Sequence, residues 1–204
     1  MSTAVPPAKK PSPAKAPTWS AAAQFVFAEW KSVETFHALE DLVTEEIDEM
    51  ISSAADTIGE DLPGGQETWV RNLTGGGASR GFAFRKRNWL SLDVALGVYY
   101  DRGHWTHLNL KQSHVFVAVY APGEPERRAA VAARLREALE NGDDFDKTLA
   151  KLVRGEKECL IQVGITLADD DRTGKRFFEA IIDQFDEIAK AVSPHLDALA
   201  KGGA

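Results

Sequence analysis

Apolar residues recur at three- and four-residue steps in two long stretches of the chain and at two-residue steps between them. Phe36, Leu39, Val43, Ile47, Met50, Ala54 and Ile58 share one helical face, which predicts a helix over about 33–58 with Gly59 just past its end. A shorter helix is expected over 21–31, with Ser20 as N-cap and Phe25, Phe27 and Trp30 as its apolar load. After Leu62-Pro63-Gly64-Gly65 the period changes to two, and strands are expected over 67–73, 80–87 and 90–100. Residues 105–110 and 115–121 read as two strands or as one long bent one. Pro125 suits the first turn of a helix reaching Glu140, and Asn141-Gly142 ends it. A shorter helix over 145–153, a strand over 159–167 and a helix over 173–192 follow. The last carries Phe177, Phe178, Ile181, Ile182, Phe185 and Ile188 inward, and Ser193-Pro194 is expected to break it before a short terminal turn.

Strands that follow one another without intervening helices imply antiparallel pairing. The expected fold is α+β: an antiparallel meander of four to five strands plus one later strand, with the helices packed mainly on one face. Residues 18–201 are expected to form one domain. Residues 1–17, MSTAVPPAKKPSPAKAP, hold no apolar side chain larger than Val5 and Met1 among prolines, alanines and lysines, and read as a disordered tail.

Parity then sorts the faces. Leu92, Val94, Leu96, Val98 and Tyr100 point one way; Asp93, Ala95, Gly97, Tyr99 and Asp101 point the other. A three-residue turn, Arg102-Gly103-His104, would pair Val98 with Leu108 and Leu96 with Leu110. Trp105, His107, Asn109 and Lys111 would then join Asp93 and Tyr99 on the second face, around a shallow floor at Ala95 and Gly97. This face is the candidate binding surface.

Charge changes the picture at one point. The net charge is −7, yet residues 1–28 hold only Lys9, Lys10 and Lys15 and no acid. Without those three lysines, 21 basic residues face 31 acidic ones, a balance of −10. So acidic a body is no general binder of nucleic acid or anionic membrane. No apolar run reaches the ~18–20 residues that span a bilayer. The single cysteine, Cys159, fits a reducing compartment such as the cytoplasm, and its apolar neighbours suggest a small buried hydrophobe.

Several motifs point toward chemistry and stop short of it. Arg80-Gly81-Phe82-Ala83-Phe84 resembles the first five positions of the RNA-recognition octamer, whose aromatics stack on bases. Arg85 and Arg87 occupy the sixth and eighth positions, where that motif has apolar and aromatic residues. Asp93 with Asn109-Leu110-Lys111 resembles the acid and acid-x-Lys layout of PD-(D/E)XK nucleases, which hold a divalent metal on neighbouring strands. Here Asn109 stands where an acid is needed. His104 and His107 face opposite ways on a strand, so with His114 they do not converge on zinc. Glu34-x-x-His37 has the spacing of a di-iron half-site without a second copy. Asp169-Asp170-Asp171 suits the start of the last helix. Gly174-Lys175 lacks the glycine loop that precedes a phosphate-binding lysine.

The functional expectation is a non-enzymatic binding protein that engages another protein through the second sheet face, without a cofactor. Its binding residues are Asp93, Tyr99, Trp105, His107, Asn109 and Lys111, with Arg85 and Arg87 on the rim. One alternative is a nucleic-acid binder, a degenerate PD-(D/E)XK-like fold, acting through strand 80–89. Another is a small-molecule enzyme with Asp93, Tyr99, His107 and Lys111 as its site.

Overall fold

The computed structural model describes residues 20–63, 68–74, 79–101, 115–142, 144–155, 158–166 and 173–202. The expected tail at 1–17, the expected strand at 105–110, the turn at 102–104, His104, His107, His114 and Asp169–Asp171 lie outside them. The chain divides into two compact units, 1–39 and 40–204.

The first unit holds α1 (Ala21–Ala28) and the opening of α2 (Trp30–Asp61). Ser20 caps α1 as expected, its hydroxyl accepting from the Ala23 amide at 3.2 Å. At Glu29 the backbone leaves helical geometry (φ −104°, ψ 20°). The Glu29 carbonyl then accepts from Ser32 and Val33 and starts α2. Leu39, expected to face inward, is 54% exposed.

The second unit is an α+β structure around a five-stranded antiparallel sheet in the order β1 (Trp69–Thr74), β2 (Ser79–Lys86), β3 (Ala95–Asp101), β4 (Val115–Tyr120), β5 (Cys159–Ile165). Between β4 and β5 run α3 (Pro125–Glu140) and α4 (Asp144–Ala150), and α5 (Lys175–Lys201) follows β5. Alternation builds one face in rows. Phe82, Val98, Val117 and Val163 stand side by side, as do Phe84, Leu96, Val119 and Ile161. Helices cover that face. From α2, Ile47, Ile51, Ala54 and Ile58 are buried, and from α5, Phe177, Ile181, Phe185, Ile188, Val192 and Leu196. Phe84 meets Phe185 edge to face at 5.7 Å, and the Tyr100 hydroxyl donates to Asp48 on α2. Such an aromatic pair contributes about 0.5–1.5 kcal/mol beyond the area it buries.

Four expectations are corrected. Val98 pairs with Val117 and Leu96 with Val119, not with Leu108 and Leu110. Both registers keep the apolar parity, but only the observed one sets three β-branched valines, at 115, 117 and 119, against β3. The strand expected from residue 90 begins at Ala95, because residues Arg87–Ser91 form a 3-10 turn. Trp89 and Leu92, three residues apart, are buried there, while Leu90 is 59% exposed. Asp93 closes this turn in the left-handed region (φ 54°), which aspartate tolerates better than most side chains. It is therefore not a strand residue. Helix α2 runs past Gly59 to Asp61; a Cβ at Gly59 would touch the Phe84 ring at 3.5 Å. Finally, α5 continues through Pro194 to Lys201.

Candidate functional site

The second face of the sheet is built from the residues that alternate with the core rows. Ala83, Gly97 and Ala118 pair in sequence across three strands and continue to Gln162 on β5. Gly81, Tyr99, Phe116 and Gly164 form the next row. The strands approach closely here. A Cβ on Gly97 would lie 2.4 Å from the Phe82 carbonyl oxygen, and one on Gly81 would lie 2.1 Å from that of Val98. The result is a low floor of buried small residues beside the half-buried Tyr99, Phe116 and Tyr120, with Gln162 and Gly164 exposed at the β5 side. The rings of Tyr99 and Tyr120 stand 5.3 Å apart.

Arg85 projects from this face next to Ala95 and pairs with Asp93 at 3.1 Å. The left-handed turn thus brings Asp93 to the face by another route than strand parity. Gly123 leaves room for it, since a Cβ there would approach the Asp93 carboxylate at 2.7 Å. The Arg85 Nε is buried without a hydrogen-bond partner among the described residues. Arg87 sits apart in the 3-10 turn, exposed. Of the expected site residues, the structure therefore brings together Asp93, Tyr99 and Arg85. Trp105, His107, Asn109 and Lys111 lie outside the described residues.

The other basic residue of the strand, Lys86, is turned to the helix-covered side. Its ammonium lies 5.1 Å from the Trp69 ring centre and 5.2 Å from that of Trp89, and it donates to Asp197 at 2.8 Å. Asn88 and the Trp89 indole donate to the same carboxylate, at 2.9 and 2.7 Å. Burial alone would raise the Asp197 pKa, but these hydrogen bonds and the Lys86 charge outweigh it and hold the carboxyl below its usual range. Phe82 and Phe84 are also in the core, 5.6 Å apart edge to face, so the aromatics of the RNA-motif resemblance are not presented for stacking.

At the β5 margin a bulge between Val119 and Tyr120 sets Tyr120 against Cys159 and Val119 against Ile161, leaving Leu160 over. The Tyr120 hydroxyl donates to Glu158 at 2.6 Å. Burial, and then this bond to a carboxylate, push the Tyr120 hydroxyl up to about 12. Burial and the neighbouring Glu158 also raise the Cys159 thiol, which therefore stays protonated near neutrality. Phe116 and Tyr120 were missed in the sequence reading, although the parity of Val115, Val117 and Val119 already placed them opposite the core. Among the described residues no three His, Cys, Asp or Glu side chains are grouped to hold a metal ion, and no helix is long and apolar enough to cross a membrane. The chain matches no family model, no curated protein and no solved structure.

Proposed function

We propose that this protein is a non-enzymatic binding module that captures another protein on the second face of its sheet. One observation carries the reading. The floor of Ala83, Gly97 and Ala118 is flanked by the half-buried rings of Tyr99 and Phe116 and by the half-buried Arg85, which pairs with Asp93. Aromatic rings and arginine are the side chains that dominate binding energy at protein interfaces. A protein partner is favoured over nucleic acid because Arg85 is paired with Asp93 and Lys86 with Asp197, within an acidic chain. The lone protonated thiol supports a reducing, cytoplasmic setting.

The test is capture of a partner by tagged protein, with the partner then purified and titrated. Replacing Tyr99 and Phe116 together by alanine should weaken that titration by about a hundredfold or more, the loss of two aromatic anchors. Unchanged affinity in a variant with intact circular dichroism would overturn the assignment.

A further inference from the structure

A cleft of about 730 Å³ opens beside the sheet where α3, residues 151–155 and the start of β5 meet. That volume suits a small molecule or the end of a chain. Arg128 and Arg154 line it together with Leu152, Glu158, Cys159 and Gln162. Arg128 is held in place: its Nε donates to the Ala121 carbonyl at 3.0 Å and one terminal nitrogen to that of Gly123 at 2.8 Å. These bonds fix the guanidinium but leave its charge uncompensated. Neither Arg128 nor Arg154 has an ion-pair partner among the described residues, in a protein whose net charge is −7. Glu158, the acid in the same lining, accepts instead from Tyr120. Among the described residues the lining therefore carries two positive charges and one negative. Leu152, 38% exposed, and the half-buried Cys159 add apolar surface beside them.

We propose that this cleft binds a carboxylate carried on an apolar body, with Arg128 as the fixed donor and the exposed Arg154 as the second. A single net positive charge matches a monoanion. A phosphate dianion would meet Glu158 with charge to spare, and a neutral amide would leave the net positive charge unmatched. The carboxylate can belong to a free acid or to the C-terminus of a peptide. The proposal stands on these residues alone and does not depend on a partner at the sheet face.

The experiment follows arginine Nε and backbone amide resonances of the full chain during titration with four probes. These are hexanoate, acetyl-Leu-Leu with a free carboxylate, the same dipeptide amidated, and inorganic phosphate. Hexanoate or the free-carboxylate peptide, or both, should shift signals of Arg128, Arg154 and Gln162 in a saturable way, and their relative affinity tells which source the cleft prefers. The amide and phosphate should leave those signals in place. Arg154→Gln, an exposed substitution, should weaken binding by at least about tenfold, the loss of one charge-assisted hydrogen bond. Glu158→Gln should strengthen it and admit phosphate. The proposal fails if neither carboxylate shifts the cleft signals, if the amide or phosphate binds wild type as well as the acids do, or if Arg154→Gln leaves the affinity unchanged.

Discussion

Asp197 shows how one side chain joins distant parts of the chain. It lies on α5, yet accepts from Lys86, Asn88 and Trp89, more than a hundred residues earlier. Removing it would strand three donors, one of them the Lys86 ammonium between two indole rings. Asp197→Ala should therefore cost about 1–3 kcal/mol at neutral pH, read from urea unfolding. The sign of its pH dependence follows from the depressed pKa. The carboxylate contributes fully above the unfolded value of 3.8, and its contribution is lost as pH falls through the lower folded value. The gap between wild type and Asp197→Ala should thus be constant from pH 7 to about 5 and close below 4. A gap that widens in acid would contradict the assignment. None of this cluster was legible in the sequence, because nothing local links residue 197 to residues 86–89.

At the scale of elements, α5 presents two opposing magnitudes. Pro194 lacks the amide that would bond to Lys190 and crowds the preceding turn, a cost of about 3 kcal/mol. Against it stand the buried side chains of Val192 and Leu196, each contributing about 1.5–3 kcal/mol, and the bonds to Asp197. The sum favours continuation, which is why the expected break is absent. Pro194 is exposed, so Pro194→Ala should raise stability by about 1–3 kcal/mol and shift the urea midpoint without changing the slope. A neutral effect would mean that the helix is already relaxed around the proline. The start of β3 teaches the same lesson. Leu90, Leu92 and Val94 alternate like a strand, but burial of Trp89 and Leu92 turns the chain into a 3-10 turn instead.

For the molecule as a whole, the described buried core begins at Ile47 and lies entirely within residues 40–204. The first unit instead carries exposed Phe25, Trp30 and Leu39. A chain of residues 40–204 should therefore unfold in one cooperative transition, with a melting temperature within about 4 °C of the full-length value, the equivalent of about 1 kcal/mol. Loss of cooperativity in calorimetry would show that the first unit supports the core.

Much of this architecture was present in local pattern. The α+β class, the antiparallel order of the strands, helix Pro125–Glu140 and the inward face of α5 all follow from periods of two and 3.6, because burial rewards a face and a period defines one. Tyr99 was readable as a member of the second face for the same reason, whereas Arg85 was expected only on its rim. Alternation is unchanged by a shift of two residues, however, so it could not choose between Leu108 and Val117 as the partner of Val98. Nor could it bring Asp93 to Arg85, since that depends on a left-handed turn, or Arg128 and Arg154 to one cleft, which they line only in the folded chain. Periodicity decided which side chains turn inward. Register, the passage of α5 through Pro194 and the charged cleft were decided by contacts between residues far apart in the chain, whose energies exceed any local preference.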